Sequence, residues 1–147
     1  MPELRASQTL DAPAEAVWAL LEDFGAIERW WPRDAPIQIE SVELDGSGLG
    51  MVRHIRNRGM SHPISERLDF IDRDARLLVL SIVGRRPDGL TGYLAEGRVV
   101  DLGDGRCRMD YRALLTTEPG CEERLRRGML ATYAMMFRGL QAAARQR

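Results

Sequence analysis

Residues 91–115, TGYLAEGRVVDLGDGRCRMDYRALL, carry the pattern that decides the fold. Apolar and polar residues alternate with a period of two on both sides of Gly103-Asp104-Gly105, which is the signature of two half-buried strands. Three residues rich in glycine leave room only for a tight hairpin, so the two strands are antiparallel. The alternation also sorts the side chains. Tyr93, Ala95, Gly97 and Val99 fall on one face of the first strand, with Glu96 and Arg98 opposite. On the second strand Cys107, Met109, Tyr111 and Ala113 fall inside, while Arg106, Arg108, Asp110 and Arg112 fall outside.

Upstream, the same period continues back to residue 37. IQIESVEL (37–44), MVRHIRN (51–57), ISERLDFI (64–71) and RLLVLSIVG (76–84) read as four more strands. Short turn segments separate them: DGSGLG, RGMSHP, DRDA and GRRPDG. Connections this short between consecutive strands predict an antiparallel meander. A further strand is predicted at 4–10. Between it and the meander, DAPAEAVWALLEDF reads as a helix, with Asp11 ahead of it, Pro13 at its first position and Glu15 in its first turn. Val17, Leu20, Leu21 and Phe24 give that helix one apolar face. GAIERWWPRDAP is a second short helix or turn, ended by Pro32 and Pro36. Downstream the period changes to that of a helix over 119–145, with Pro119 near its start, Glu122 and Glu123 in its first turns and Arg145 and Arg147 at its end, as the helix dipole favours. Seven strands, two short helices and one long one make an α+β class, organised as a single domain over 1–147.

Composition narrows the partners. The chain is 44% hydrophobic and 29% charged, with a net charge of -1, so nucleic acid and anionic membrane surfaces are not expected as partners. No apolar run is long enough to span a bilayer, and the N-terminal MPELRASQTL lacks the apolar region of a signal peptide, so a cytoplasmic, bacterial-type protein is expected. Cys107 and Cys121 lie outside any CxxC pair and His54 and His62 are few and badly spaced, so neither a disulfide framework nor a metal is expected. GSGLG (46–50) joins two strands instead of opening a helix, which removes the context a dinucleotide loop requires; no cofactor is expected.

One long helix laid across a curved sheet leaves space beneath it. Strand alternation places Ile64, Glu66, Leu68 and Phe70 on the inner face, and Arg53 with Met51 and Ile55 where it can meet Glu66 or an acidic ligand group. A carboxylate on an apolar face is costly unless something hydrogen-bonds to it, which singles out Glu66. Ala95 and Gly97 beside Tyr93 fill little volume and predict a hollow. Over it runs the helix stripe Leu125, Met129, Tyr133, Met136, Phe137 and Leu140, whose methionines adapt to irregular shapes. Gly128 and Gly139 weaken that helix and call for a close contact or a bend.

GSGLGMVRHI, SERLDFIDRDARLLVLSIVG and GYLAEGRVVDLGDG, with the opening APAEAVWALLEDFGAIERWWP, together resemble the START-like (SRPBCC) superfamily. That superfamily includes the polyketide cyclase/dehydrase and lipid-transport group, the birch-pollen-allergen type and the plant abscisic acid receptors. The resemblance implies a helix-grip fold: a curved seven-stranded antiparallel sheet around the C-terminal helix. It also implies a pocket for a small hydrophobic molecule. Arg53, Glu66 and Tyr93 fall on pocket positions of the hormone receptors, and Met129, Tyr133 and Phe137 on the helix face that closes the pocket. Segment 57–62, with Met60, lies at the receptors' mobile gate and 84–90 at their latch. Trp31 stands in place of the lysine that anchors the hormone carboxylate, and Tyr111 where the receptors keep an acidic residue, so abscisic acid is not the expected guest. The ligand-facing set is completed by Ile55, Leu68, Ala95 and Met109.

Binding of a hydrophobic metabolite, lipid or polyketide-like aromatic is the leading expectation. A cyclase or dehydratase is the second. A carboxyl among apolar neighbours favours its neutral form, and Glu66 could trade a proton with an enolisable substrate while Tyr93, Tyr111 or Arg53 hydrogen-bonds the enolate oxygen. Cys107 lacks a histidine partner and reads as core. A third reading, a protein-interaction module, would need an exposed apolar patch, for which Trp18, Trp30 and Trp31 are the candidates; packing beneath the sheet rim is the simpler account.

Overall fold

The computed structural model describes residues 2–146. Strand β1 (Glu3–Leu10) leads into helix α1 (Ala14–Glu22) and a 3₁₀ segment (Phe24–Arg29). Strands β2 (Ile39–Asp45), β3 (Val52–Asn57), β4 (Ile64–Asp72), β5 (Leu77–Val83), β6 (Leu90–Gly103) and β7 (Arg106–Thr117) follow, and α2 (Glu122–Arg145) closes the chain. All seven strands join one sheet in the order β1-β7-β6-β5-β4-β3-β2, every pair antiparallel. This is the helix-grip architecture expected above.

The β6–β7 hairpin turns at Asp104 and Gly105, both with positive φ (56° and 72°), the geometry that fits the right-handed twist of the flanking strands. Its inner face is the expected one: Tyr93, Ala95, Gly97 and Val99 are buried, as are Cys107, Met109, Tyr111 and Ala113. Cys107 is fully enclosed, and burial pushes its thiol up from the usual cysteine range.

Three local expectations change. Phe70 was placed inward with Leu68, yet it is 46% exposed. Leu68 pairs with Leu80 and Phe70 with Val79, so β4 carries one extra residue there. A bulge of that kind flips the alternation downstream, and Ile71 packs against the core instead. The extra residue is Asp69, held by Arg67 Nε at 2.6 Å and by the Ser81 hydroxyl. Second, β2 starts at Ile39, and Ile37 lies ahead of it with its carbonyl accepting from Trp31 Nε1 at 2.8 Å. Third, α2 starts at Glu122, after a turn containing Pro119 and Gly120, with Cys121 as the capping residue. Arg147 lies outside the described residues.

The core gathers the inner sheet face, α1, the 3₁₀ segment and the buried stripe of α2. Trp18 and Trp30 are buried within it, so the tryptophans form no exposed patch. Helix α2 makes its close contacts with β1, β7 and α1, leaving the β3–β5 side of the sheet farther from it.

The two helix glycines differ in cause. A Cβ on Gly139 would lie 2.0 Å from the Trp30 carbonyl oxygen and 2.9 Å from Pro32, so a close approach to the 30–32 backbone requires glycine. A Cβ on Gly128 would meet nothing within 4 Å beyond its own helix backbone. Gly128→Ala should therefore raise stability by about 0.5–1 kcal/mol through helix propensity alone. Gly139→Ala should lower the melting temperature despite the same gain. Urea unfolding of the two variants checks this, and equal effects would contradict the packing account.

Candidate functional site

The inner face of β3–β5, α2 and the 30–39 connection border a cavity of about 260 Å³, just below the usual range of about 300–1,000 Å³ for ligand sites. Its walls are mostly apolar: Ile27, Ile39, Ile55, Ile64 and Ile82 from below, Met129 and Met136 from α2. Ile37 and Met60, both more than a third exposed, stand at its rim beside Trp31 and Pro87. Met60 belongs to segment 57–62 and Pro87 to segment 84–90, so both loops reach the cavity. The second loop is pinned to the start of α2, where Arg124 Nη2 donates to the Asp88 carbonyl at 3.1 Å and the Glu118 amide to that of Gly89 at 2.8 Å.

Polar groups enter this apolar space from three elements. Arg53 and Glu66 sit opposite each other on β3 and β4. Arg53 Nε donates to Glu66 Oε1 at 2.8 Å, and Nη2 lies 2.8 Å from the same oxygen. Nη1 donates to the Phe24 carbonyl at 3.0 Å, and the guanidinium carbon lies 4.1 Å from the centre of the Phe24 ring. Every nitrogen of the arginine is therefore occupied and one face of it is covered. Of the two partners the strand pattern offered Arg53, Glu66 or an acidic ligand group, Glu66 is the one it meets, with Glu66 Oε2 free of protein hydrogen bonds among the described residues.

The third contribution is aromatic. Tyr93 on β6 and Tyr133 on α2 share a hydrogen bond between hydroxyls at 2.5 Å, and the ring of Tyr133 lies 4.6 Å from that of Tyr111 at 50°. Burial holds all three phenols above the ordinary tyrosine value, Tyr133 at about 12, and the nearby Glu66 charge raises each of them further. At neutral pH they are uncharged hydrogen-bonding groups.

Nine residues of the sequence-derived set line the cavity: Trp31, Arg53, Ile55, Met60, Glu66, Tyr93, Tyr111, Met129 and Tyr133. Four do not. Leu68, Ala95 and Phe137 are packed in the core, and Met109 borders a separate void of about 20 Å³. The hollow expected over Ala95 and Gly97 is filled by Tyr111, whose ring would lie 3.2 Å from a Cβ on Gly97. Arg53, Tyr111 and Met136 border both spaces and form the partition between them. Sequence reasoning did not single out Ile27, Ile37, Ile39, Asn57, Ile82, Pro87 and Thr132, which also line the cavity. Ile27, Ile37 and Pro87 come from loops or the 3₁₀ segment, where no period marks an inward face.

The chain matches the model of the polyketide cyclase/dehydrase and lipid transport family over residues 1–145. It belongs to that family. Solved structures agree on the fold. A Thermobifida fusca protein is 29% identical, with a TM-score of 0.80 over 99% of this chain and 95% of the other. Norcoclaurine synthase from Thalictrum flavum, in complex with dopamine and hydroxybenzaldehyde, is 18% identical with a TM-score of 0.79, covering 99% and 87%. The di-domain ARO/CYC BexL from the BE-7585A biosynthetic pathway is 16% identical with a TM-score of 0.80; the match covers 99% of this chain and 47% of that one. No curated protein matches the chain significantly. Among the described residues of this family member, no helix is long and apolar enough to cross a membrane.

The buried charge pair and the tyrosines make separate predictions. Arg53→Met leaves Glu66 without its partner and should cost about 3 kcal/mol, most of it recovered in Arg53→Met/Glu66→Leu. Urea denaturation of the single and double variants measures this, and a double variant no more stable than the single would refute it. For the phenols, the folded state holds protons that the unfolded chain releases near pH 10. Their contribution is complete below pH 10 and is lost as pH rises, for Tyr133 through about 12. Stability should fall over that window, and Tyr133→Phe should flatten the fall.

Proposed function

We propose that this protein is a single ligand-binding domain that holds a small hydrophobic molecule in the cavity between the sheet and α2. The observation that carries the reading is a space of about 260 Å³ with apolar walls and a few fixed polar groups. Water in such a space gives up hydrogen bonds, and an apolar guest releases it. Membership of the polyketide cyclase/dehydrase and lipid transport family supports the same class of guest. So does the ability of the same fold to hold small aromatics, as norcoclaurine synthase does with dopamine and hydroxybenzaldehyde.

A second reading, a cyclase or dehydratase acting on an enolisable, polyketide-like substrate, is favoured by one detail. The free oxygen of Glu66 and the Tyr93–Tyr133 pair border the same cavity, so a base and neutral donors for an enolate oxygen are present together. Unchanged turnover of every accepted substrate in Glu66→Gln would rule out the carboxylate as base.

Protein purified without denaturant should carry an apolar adduct visible by native mass spectrometry. An added ligand at a hundred times its Kd should stabilise the fold by about 2.7 kcal/mol, read as a rise in melting temperature. Met136→Trp, which places a ring in the cavity, should abolish both signals. Their persistence in that variant would move the site elsewhere.

A further inference from the structure

The charged valence left open in the cavity is an acceptor, Glu66 Oε2. The charge of Arg53 is spent within the protein: Nε and Nη2 meet Glu66 Oε1, Nη1 donates to the Phe24 carbonyl, and the Phe24 ring covers one face. Among the described residues, no other Lys or Arg lines the space. Two acceptors stand without donors. Glu66 Oε2 has no protein hydrogen bond among the described residues, and Asn57 Oδ1, also in the lining, is buried without a partner. Glu66 Oε2 is not closed off from the space, so a guest hydroxyl can reach it and supply the hydrogen bond the protein does not.

Resting on the binding reading above, we infer that the cavity selects an uncharged, mainly apolar molecule with a hydroxyl group that donates to Glu66, and rejects carboxylates. A carboxylate brings a second negative charge against Glu66, and the charge of the one cation lining the space among the described residues is already matched by Glu66. An ammonium group gains little in compensation. The Arg53–Glu66 pair is neutral as a unit, so a buried cation would lose its hydration with no net opposite charge to replace it. The Tyr93–Tyr133 pair can accept from the same hydroxyl or donate to a second oxygen, since two phenols sharing one bond keep one proton free. The guest is therefore an alcohol or phenol of modest size, in contrast to a free fatty acid.

Three probes on one ring system test this at neutral pH: β-naphthol, β-naphthoate and naphthalene. Quenching of tryptophan fluorescence reads binding, because Trp31 lines the cavity. Naphthol should bind at least tenfold more tightly than naphthoate and several-fold more tightly than naphthalene. Glu66→Gln frees part of Arg53 and should close or reverse the gap between naphthol and naphthoate. Naphthoate binding as well as naphthol to the unaltered protein would overturn the selectivity while leaving the binding function intact, as would naphthalene equalling naphthol. Failure of all three probes to bind would overturn the cavity function, and the selectivity with it. The comparison on the unaltered protein decides the matter even where Glu66→Gln does not fold.

Discussion

A single helix cannot cover a seven-stranded sheet, and the rest of the molecule is arranged around that shortfall. Seven strands at about 4.8 Å spacing make a sheet about 29 Å wide, while a helix with its side chains is only about 10–12 Å across. Helix α2 lies over the β1–β7 edge, where Leu125, Tyr133, Phe137 and Leu140 are buried. The far half must be closed by other means. The 3₁₀ segment packs against β2 and helix α1 against β6 and β7, and Gly139 lets α2 approach the Trp30 carbonyl closely. What remains uncovered above β3–β5 is the cavity.

Arg53 and the Tyr93–Tyr133 pair survive in that cavity because each is compensated across elements. Arg53 is 6% exposed, a position a free guanidinium could not hold. Its bonds to β4 and to the 3₁₀ segment return much of the lost hydration and tie the edge of the sheet to the chain that packs on it. The Tyr93–Tyr133 bond does the same between β6 and α2. The contacts that brace the helix against the sheet are thus the ones that furnish the cavity with hydrogen-bonding groups. Stability and recognition share residues here.

Particular positions show how much of this could be read in advance. Arg53 facing Glu66 followed from counting alternate residues on two neighbouring strands, because a period of two with one buried face permits few registers. The same rule failed at Phe70, where a single extra residue reversed the count. It also overestimated the hollow above Gly97. Alternation identifies small residues facing inward, but not that Tyr111 on the next strand would lay its ring into the space. Asn57 continues the inward set of Arg53 and Ile55 and was legible in principle, whereas Ile37 and Pro87 lie in connections whose backbone has no period from which to infer direction.

The sequence by itself determined the order of elements, the antiparallel meander, the hairpin at Asp104 and which face of most strands turns inward. These depend on local chemistry: glycines that accept positive φ, prolines that end helices, and alternation that either matches a pleat or does not. Only the tertiary structure decided where the empty space lies, which side chains border it and which polar atoms in it lack partners. Those properties come from the distances between elements far apart in the chain. A difference of one side-chain volume, such as the ring of Tyr111 over Gly97, separates packed core from open cavity.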